Sequence, residues 1–373
     1  MTRTATTIQA EAGKTIVIAG PASFELRQGE ASILGAPLDS ARYIVTRGKQ
    51  TPIEIRSSSS LTIQLGQDAR VEELNGSTIP LSWREAASAL TELGEGTTVV
   101  IGGADSGKTT LSTFLSNLLV QEGRRVAVVD ADIGQTDMGP PTTMAAGETA
   151  RPVVSLSQIE PSERLFIGLT SPGRVKDKVI RGVKRLVGRH ARPGRLVIVN
   201  TDGWVTGSEA AAYKLRMLDE LKPNLTLAIG TDSDTSEILQ AGNRAALLVG
   251  SPDLIKERTR VDRRELRTLG YQKYLAGSSL RTFRVDGVQL WSALASETLD
   301  IPRLSRSRFE DLKGAIVGFL DAECFLHEIG VLKEIVPSAM TVKIWSRISA
   351  TPSKIEVGEV RLNSEGRELT YVG

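Results

Sequence analysis

The stretch VVIGGADSGKTTLSTFLSNLL, residues 99–119, decides the fold. An apolar run ends at Gly102, and the four residues to Gly107, followed by Lys108 and Thr109, complete the phosphate-loop spacing. A helix is expected to follow, because Leu111, Phe114, Leu115, Leu118 and Leu119 recur at i, i+3, i+4, i+7 and i+8. In such a loop the backbone N–H groups of Gly102, Gly103, Ala104, Asp105, Ser106 and Gly107 turn inward around a phosphate, and the helix N-terminus adds partial positive charge. Lys108 would reach the β- and γ-phosphates, Thr109 would ligate Mg2+, and Thr110 completes the nucleotide contacts. A glycine-rich turn can also bind nothing, but here the whole pattern stands between a strand and a helix. No guanine-reading NKxD pattern follows TLAIG, so ATP is favoured over GTP.

Outward from the loop, the next buried strand is RVAVVD, and it runs into DADIGQTDMGPP, residues 130–141. Parallel strands present their C-terminal ends on one edge, so Asp130 and Asp132 should face the phosphate loop. Phosphoryl transfer needs one acid for the metal and often one for the nucleophile's proton. Asp130 can hold magnesium directly or through water, or act in catalysis. Asp132, one step further out, lies nearer an incoming hydroxyl and is also a metal candidate. Gln135 can orient a γ-phosphate oxygen or a metal-bound water. Asp137 has only a structural reading, and Pro140 and Pro141 turn the chain away from the site.

The texture of the rest divides the 373 residues into three parts. Residues 1–85 carry short Val-, Ile- and Thr-rich pieces with turn punctuation, a small β domain. Residues 86–285 alternate apolar strands (TTVVIGG, RVAVVDAD, RLFIGLT, RLVIVNTDG, NLTLAIGT, RAALLVG) with amphipathic helices, as parallel strands covered on both faces require. Residues 286–373 return to strand pieces, a second small β domain. The expected fold class is therefore α/β, a central P-loop domain with a parallel sheet between two β domains. One cysteine, Cys324, excludes a disulfide framework, and two histidines make a histidine metal cluster a poor expectation. No apolar run is long enough to span a membrane and the N-terminus lacks a secretory core, so a cytoplasmic protein is expected.

The residues then reach a family resemblance. GGADSGKTTL followed by DADIGQ resembles the P-loop polynucleotide 5′-hydroxyl kinases, which include the kinase subunit of the eukaryotic pre-mRNA cleavage factor, the ribosomal-RNA processing kinase and archaeal relatives. TSPGRVKDKVIRGVKRLV is similar to that family's clasp and following helix, NTDGWVTG to its NTxGWxxG segment, and ERTRVDRRELRTLGYQKYLAG to its arginine-bearing lid. An archaeal-type three-domain member fits best. The resemblance implies that Asp132 activates the 5′-hydroxyl, that Lys108, Thr109 and Gln135 surround phosphates and metal, and that Arg258, Arg263 and Arg267 are the lid arginines. The clasp falls on Thr170, Ser171, Pro172 and Gly173, with Arg174 next to it. Ser171 precedes the proline where several members have Thr-Pro-Gly directly.

Arg260, Arg263, Arg264 and Arg267 independently form one helical stripe, which like-charge repulsion disfavours unless partners or phosphate compensate. Arg258 lies off that stripe. The cations between 174 and 195 face only Asp177 and are either a solvated helix face or a groove for a nucleic-acid backbone. Trp204 can pack, or stack on a base. The expected function is transfer of the γ-phosphate of ATP to the 5′-hydroxyl end of single-stranded or duplex-end RNA, and of DNA as a further acceptor. RNA-processing subunits are candidate partners. Two alternatives stand beside it: an ATP-bound, non-catalytic scaffold of an RNA-processing complex, and a kinase of small nucleosides, which would not need the basic stretch.

Overall fold

The computed structural model describes residues 5–230, 233–240, 245–254, 257–285, 289–300, 310–349 and 351–369. Its centre is a seven-stranded sheet in the order Glu163–Phe166, Thr143–Thr149, Arg125–Ala131, Arg195–Thr201, Gly96–Gly102, Leu225–Ile229, Ala246–Val249. The last five of these run parallel to one another. Helices α1 (Leu81–Leu93) and α2 (Lys108–Gln121) cover one face, and α3 (Lys176–His190) and α4 (Ser208–Leu221) the other. The period of two explains why both faces are apolar: Val100, Val126 and Ile198 point to the first, Val99, Val129 and Val197 to the second. α5 (Ser233–Gln240) packs behind α4, and α6 (Arg260–Leu275) follows the last central strand.

One expectation for this sheet is corrected. RLFIGLT was read among the parallel strands, but Glu163–Phe166 runs antiparallel to Thr143–Thr149, which itself runs antiparallel to Arg125–Ala131. The segment between Ala131 and Thr143 is the acid-rich turn, too short for a helical crossover, so the chain can only turn back. The strand of small residues TMAAGET gave no clear apolar run to announce it.

Residues ahead of α1 form a four-stranded and a five-stranded antiparallel sheet around Ile16, Ile18, Phe24, Leu61 and Ile63. That core is continuous with α1, α2 and the first face of the central sheet. Counting the two N-terminal sheets, which share one core, as one unit, the third sheet has seven strands and takes Ser279–Arg284 as its first edge strand, ahead of residue 286. The C-terminal half of α6 belongs to this third sheet, because Tyr271 and Leu275 are buried among Ile316, Leu326, Ile329 and Val331. Among the described residues no helix is long and apolar enough to cross a membrane.

Candidate active site

The phosphate loop is built as its spacing predicts. Gly107 sits at φ 102°, where a side chain would be strained, and a Cβ there would stand 3.1 Å from Pro252. α2 has neither a side-chain cap nor an acid in its first turn, so its first N–H groups remain available to an anion. Asp105 adopts φ 60°, in the left-handed region. Lys108 is buried and donates to the Gly103 carbonyl at 2.6 Å. Burial lowers its pKa to about 8, against the pull of Asp132.

The neighbouring acids divide their work. Asp130 is fully buried, and its Oδ2 accepts from the Thr136 hydroxyl (2.8 Å) and the N–H groups of Asp137 (2.8 Å) and Met138 (3.2 Å). Asn200 donates to Asp130 Oδ1 at 3.0 Å and to Thr109 Oγ1 at 3.2 Å. Asp130 thus folds the turn that carries Asp132 and reaches Thr109, at the end of the phosphate loop, through Asn200. Asp132 Oδ1 accepts from Gly134 and Gln135 N–H (3.2 and 3.1 Å), and among the described residues its other oxygen takes no hydrogen bond. Burial raises the Asp132 carboxyl to about 6, with Lys108 opposing the shift. Gln135 Nε2 donates to the Arg263 carbonyl at 3.4 Å, joining the acid turn to α6.

A magnesium ion fits this donor set. Thr109 and Asp132 offer hard oxygen ligands, while Asn200 and Asp130 order them from behind. Among the described residues no group of three or more His, Cys, Asp or Glu forms a metal cage. Magnesium commonly takes only one or two carboxylates and leaves the rest to phosphate and water.

The arginines close from above. α6 begins with a capping box between Thr259 and Asp262, which fixes the first turn. Asp105 receives Arg263 at 2.8 Å, the Arg258 N–H at 2.9 Å and the Arg258 guanidinium at 3.3 Å, so two lid arginines meet on one phosphate-loop carboxylate. Arg267 is instead held by Glu368. The clasp residues Thr170, Ser171, Gly173 and Arg174 line a cavity of about 550 Å³ with Arg260, Arg264 and Arg267 of α6 and Glu359 and Glu368 of the third sheet's end. Pro172 does not line it.

Trp204 packs more than the sequence suggested. Its ring stacks on Tyr213 at 5.7 Å, and a Cβ on Gly173 would lie 3.8 Å from its edge. It remains half-buried, so its outer part is still accessible. The basic run is mostly neutralised by neighbouring elements: Arg174 meets Glu359, Lys176 Glu209, Lys178 Glu356, Lys184 Glu220 and Arg195 Glu148. These pairs favour the helix-face reading of the run over a backbone-tracking groove.

Sequence reasoning missed four residues. Asn200 links Thr109 to Asp130, and Asp202 accepts from Tyr213 (2.9 Å) and the fully buried Lys214 (3.0 Å). This network fixes the segment after the central strand, where Gly203 must lack a side chain because a Cβ would come within 2.7 Å of Ala104. A lysine among the apolar residues of AAAYKLRM was the available signal.

Fold and site together define a P-loop nucleotide-binding protein. Residues 102–277 match the family model described as the mRNA cleavage and polyadenylation factor CLP1 P-loop. The chain is 25% identical over 317 residues to a polyribonucleotide 5′-hydroxyl-kinase of Pyrococcus horikoshii, spanning 73% of this chain and 88% of the relative. It is 28% identical over 319 residues to the enzyme of that name from Thermococcus kodakarensis, spanning 73% and 90%. A solved Clp1p–Pcf11p complex superposes with a TM-score of 0.76 at 14% identity, covering 96% of this chain and 98% of that one, a likeness of fold. Through its central region the chain is thus similar to the P-loop polynucleotide kinase family, and the archaeal relatives of that name extend the similarity over most of its length.

Proposed function

We propose that this protein is a polynucleotide kinase that transfers the γ-phosphate of ATP to the 5′-hydroxyl end of RNA, with DNA as a second acceptor. The observation that carries the reading is the convergence of three groups on one sheet edge: Lys108, Asp132 with an oxygen left for a proton, and lid arginines seated on the phosphate loop through Asp105. In this reading Lys108 and the α2 N-terminus bind the phosphates, and Thr109 would hold magnesium with Asn200 and Asp130 ordering it from behind, which leaves the free Asp132 oxygen to the proton. Magnesium would supply charge neutralisation on the transferring phosphate. Asp132 takes the acceptor hydroxyl's proton, and Arg263 and Arg258 exchange Asp105 for phosphate oxygens. Trp204 and the clasp position the acceptor strand. Positioning and charge suffice, so no covalent intermediate forms on the protein.

The names of the archaeal relatives support the same activity, and the intact Asp132 and lid arginines favour catalysis over an ATP-bound scaffold. RNA-processing subunits as partners and a cytoplasmic location belong to the proposal. So does a division of labour in which residues 86–285 carry the chemistry and residues 1–85 and 286–373 flank it. Incubation with labelled ATP, magnesium and matched 5′-hydroxyl RNA and DNA oligonucleotides tests the activity. Label should appear at the 5′ end of RNA; none on either acceptor refutes the proposal.

A further inference from the structure

The third sheet ends in a turn, Leu362 to Leu369, that lies along the lid helix. Leu362 and Glu368 bridge the turn, Gln272 Nε2 donates to the Glu365 carbonyl at 3.0 Å, and the Glu368 N–H donates to the Thr268 hydroxyl at 3.1 Å. From that anchored backbone the Glu368 carboxylate meets Arg267 as a fork: Nε to Oε2 at 2.6 Å and Nη2 to Oε1 at 2.5 Å. Both side chains are largely buried, at 15% and 10% exposure, and both line the cavity under the clasp.

The other two lid arginines answer to the phosphate loop, so phosphates arriving there can draw them off Asp105. Arg267 stands one turn further along α6, and its partner comes from a different sheet. The fork occupies one edge of the guanidinium and leaves the remaining N–H groups aimed by a fixed plane. A flexible arginine in this position would have to be ordered during the reaction, and a pre-held one would not.

We propose that Glu368 is a positioning residue: it sets Arg267 at the acceptor side of the site, so that the third sheet fixes one wall of the cleft that receives the 5′ end. The role rests on the kinase reading above. It assigns the C-terminal β region a part in catalysis without direct contact with ATP.

Steady-state kinetics of the full chain with ATP and a 5′-hydroxyl oligoribonucleotide test it. Glu368→Gln should lower kcat on the order of tenfold or more, with KM for ATP held within about twofold. Glu368→Asp, which keeps the charge, should recover part of the loss. In an Arg267→Ala background Glu368→Gln should cost nothing further, because the two substitutions remove one interaction. An unchanged kcat, or an equal loss in both backgrounds, overturns the proposal. Should the wild type phosphorylate no 5′-hydroxyl end, the kinase reading falls, and amide hydrogen exchange across residues 260–275 still decides this one. Faster exchange in Glu368→Gln supports the hold on the lid, and unchanged exchange refutes it.

Discussion

Asp132 and Lys108 are a coupled acid and base whose shifts run in opposite directions. Desolvation raises the carboxyl to about 6 and lowers the ammonium to about 8. An Asp132 base works only when ionised, and Lys108 binds phosphate best when charged. The ratio kcat/KM reports the free enzyme, so it should rise with pH through a midpoint near 6 and fall above about 8. Bound phosphates stabilise the lysine's charge, so the alkaline limb of kcat alone should move upward. A pH–rate profile flat from 5 to 7 would exclude Asp132 as the base. The raised carboxyl also has a sign for stability: folding loses free energy as pH climbs from the ordinary carboxylate range to about 6. Asp132→Asn should therefore raise Tm at pH 8 and have much less effect at pH 4, as thermal melts would show. These residues were legible because their spacing is short and fixed by one turn. Asn200 was not, since nothing local marks an asparagine at a strand end as the link between Thr109 and Asp130. Asn200→Ala should orphan part of that network, lowering kcat more than it raises KM for ATP.

At the scale of elements, the stripe of arginines on α6 could be read from the sequence as a helix face, and so could its start, since Thr259 and Asp262 stand at capping-box spacing. What the stripe touches could not, because Asp105 and Glu368 lie more than a hundred positions away along the chain. Thr259→Ala should destabilise the first turn of the lid by about 1 kcal/mol. That loss should appear as faster amide exchange at residues 260–263, with little change in global melting. α3 gives the complementary lesson: its cations left a solvated face and a groove equally open, and in the fold its apolar stripe of Val179, Val183, Leu186 and Val187 buries against the central sheet while carboxylates from four other segments meet its charges. A one-dimensional charge count holds no record of partners supplied by folding.

Across the whole molecule, the alternation of strands and helices was enough to announce the central sheet, and turn-rich β pieces announced its flanks. The antiparallel edge and the joining of α6 to the third sheet needed the folded chain. Asn117 shows how the first region is tied in: it donates to the carbonyls of Leu34 and Val153 and accepts the Val153 N–H, all at 2.8 Å. Asn117→Ala would leave three buried partners unpaired, for a loss on the order of 3 kcal/mol or more, which denaturant titration can measure. Because one core runs from Ile16 to Val100, the first region and the central sheet should melt together.

The rooting of α6 among Tyr271, Leu275 and the third sheet makes the lid a lever whose fulcrum lies outside the nucleotide floor. From Tyr271 to Arg263 the helix rises roughly 12 Å, so a tilt of about 10° at its base swings the guanidinium by roughly 2 Å. Hydrogen bonds to a phosphate do not survive such a displacement. A small rotation between two β-structured bodies is thus enough to tune or silence the site while leaving the phosphate loop itself unmoved.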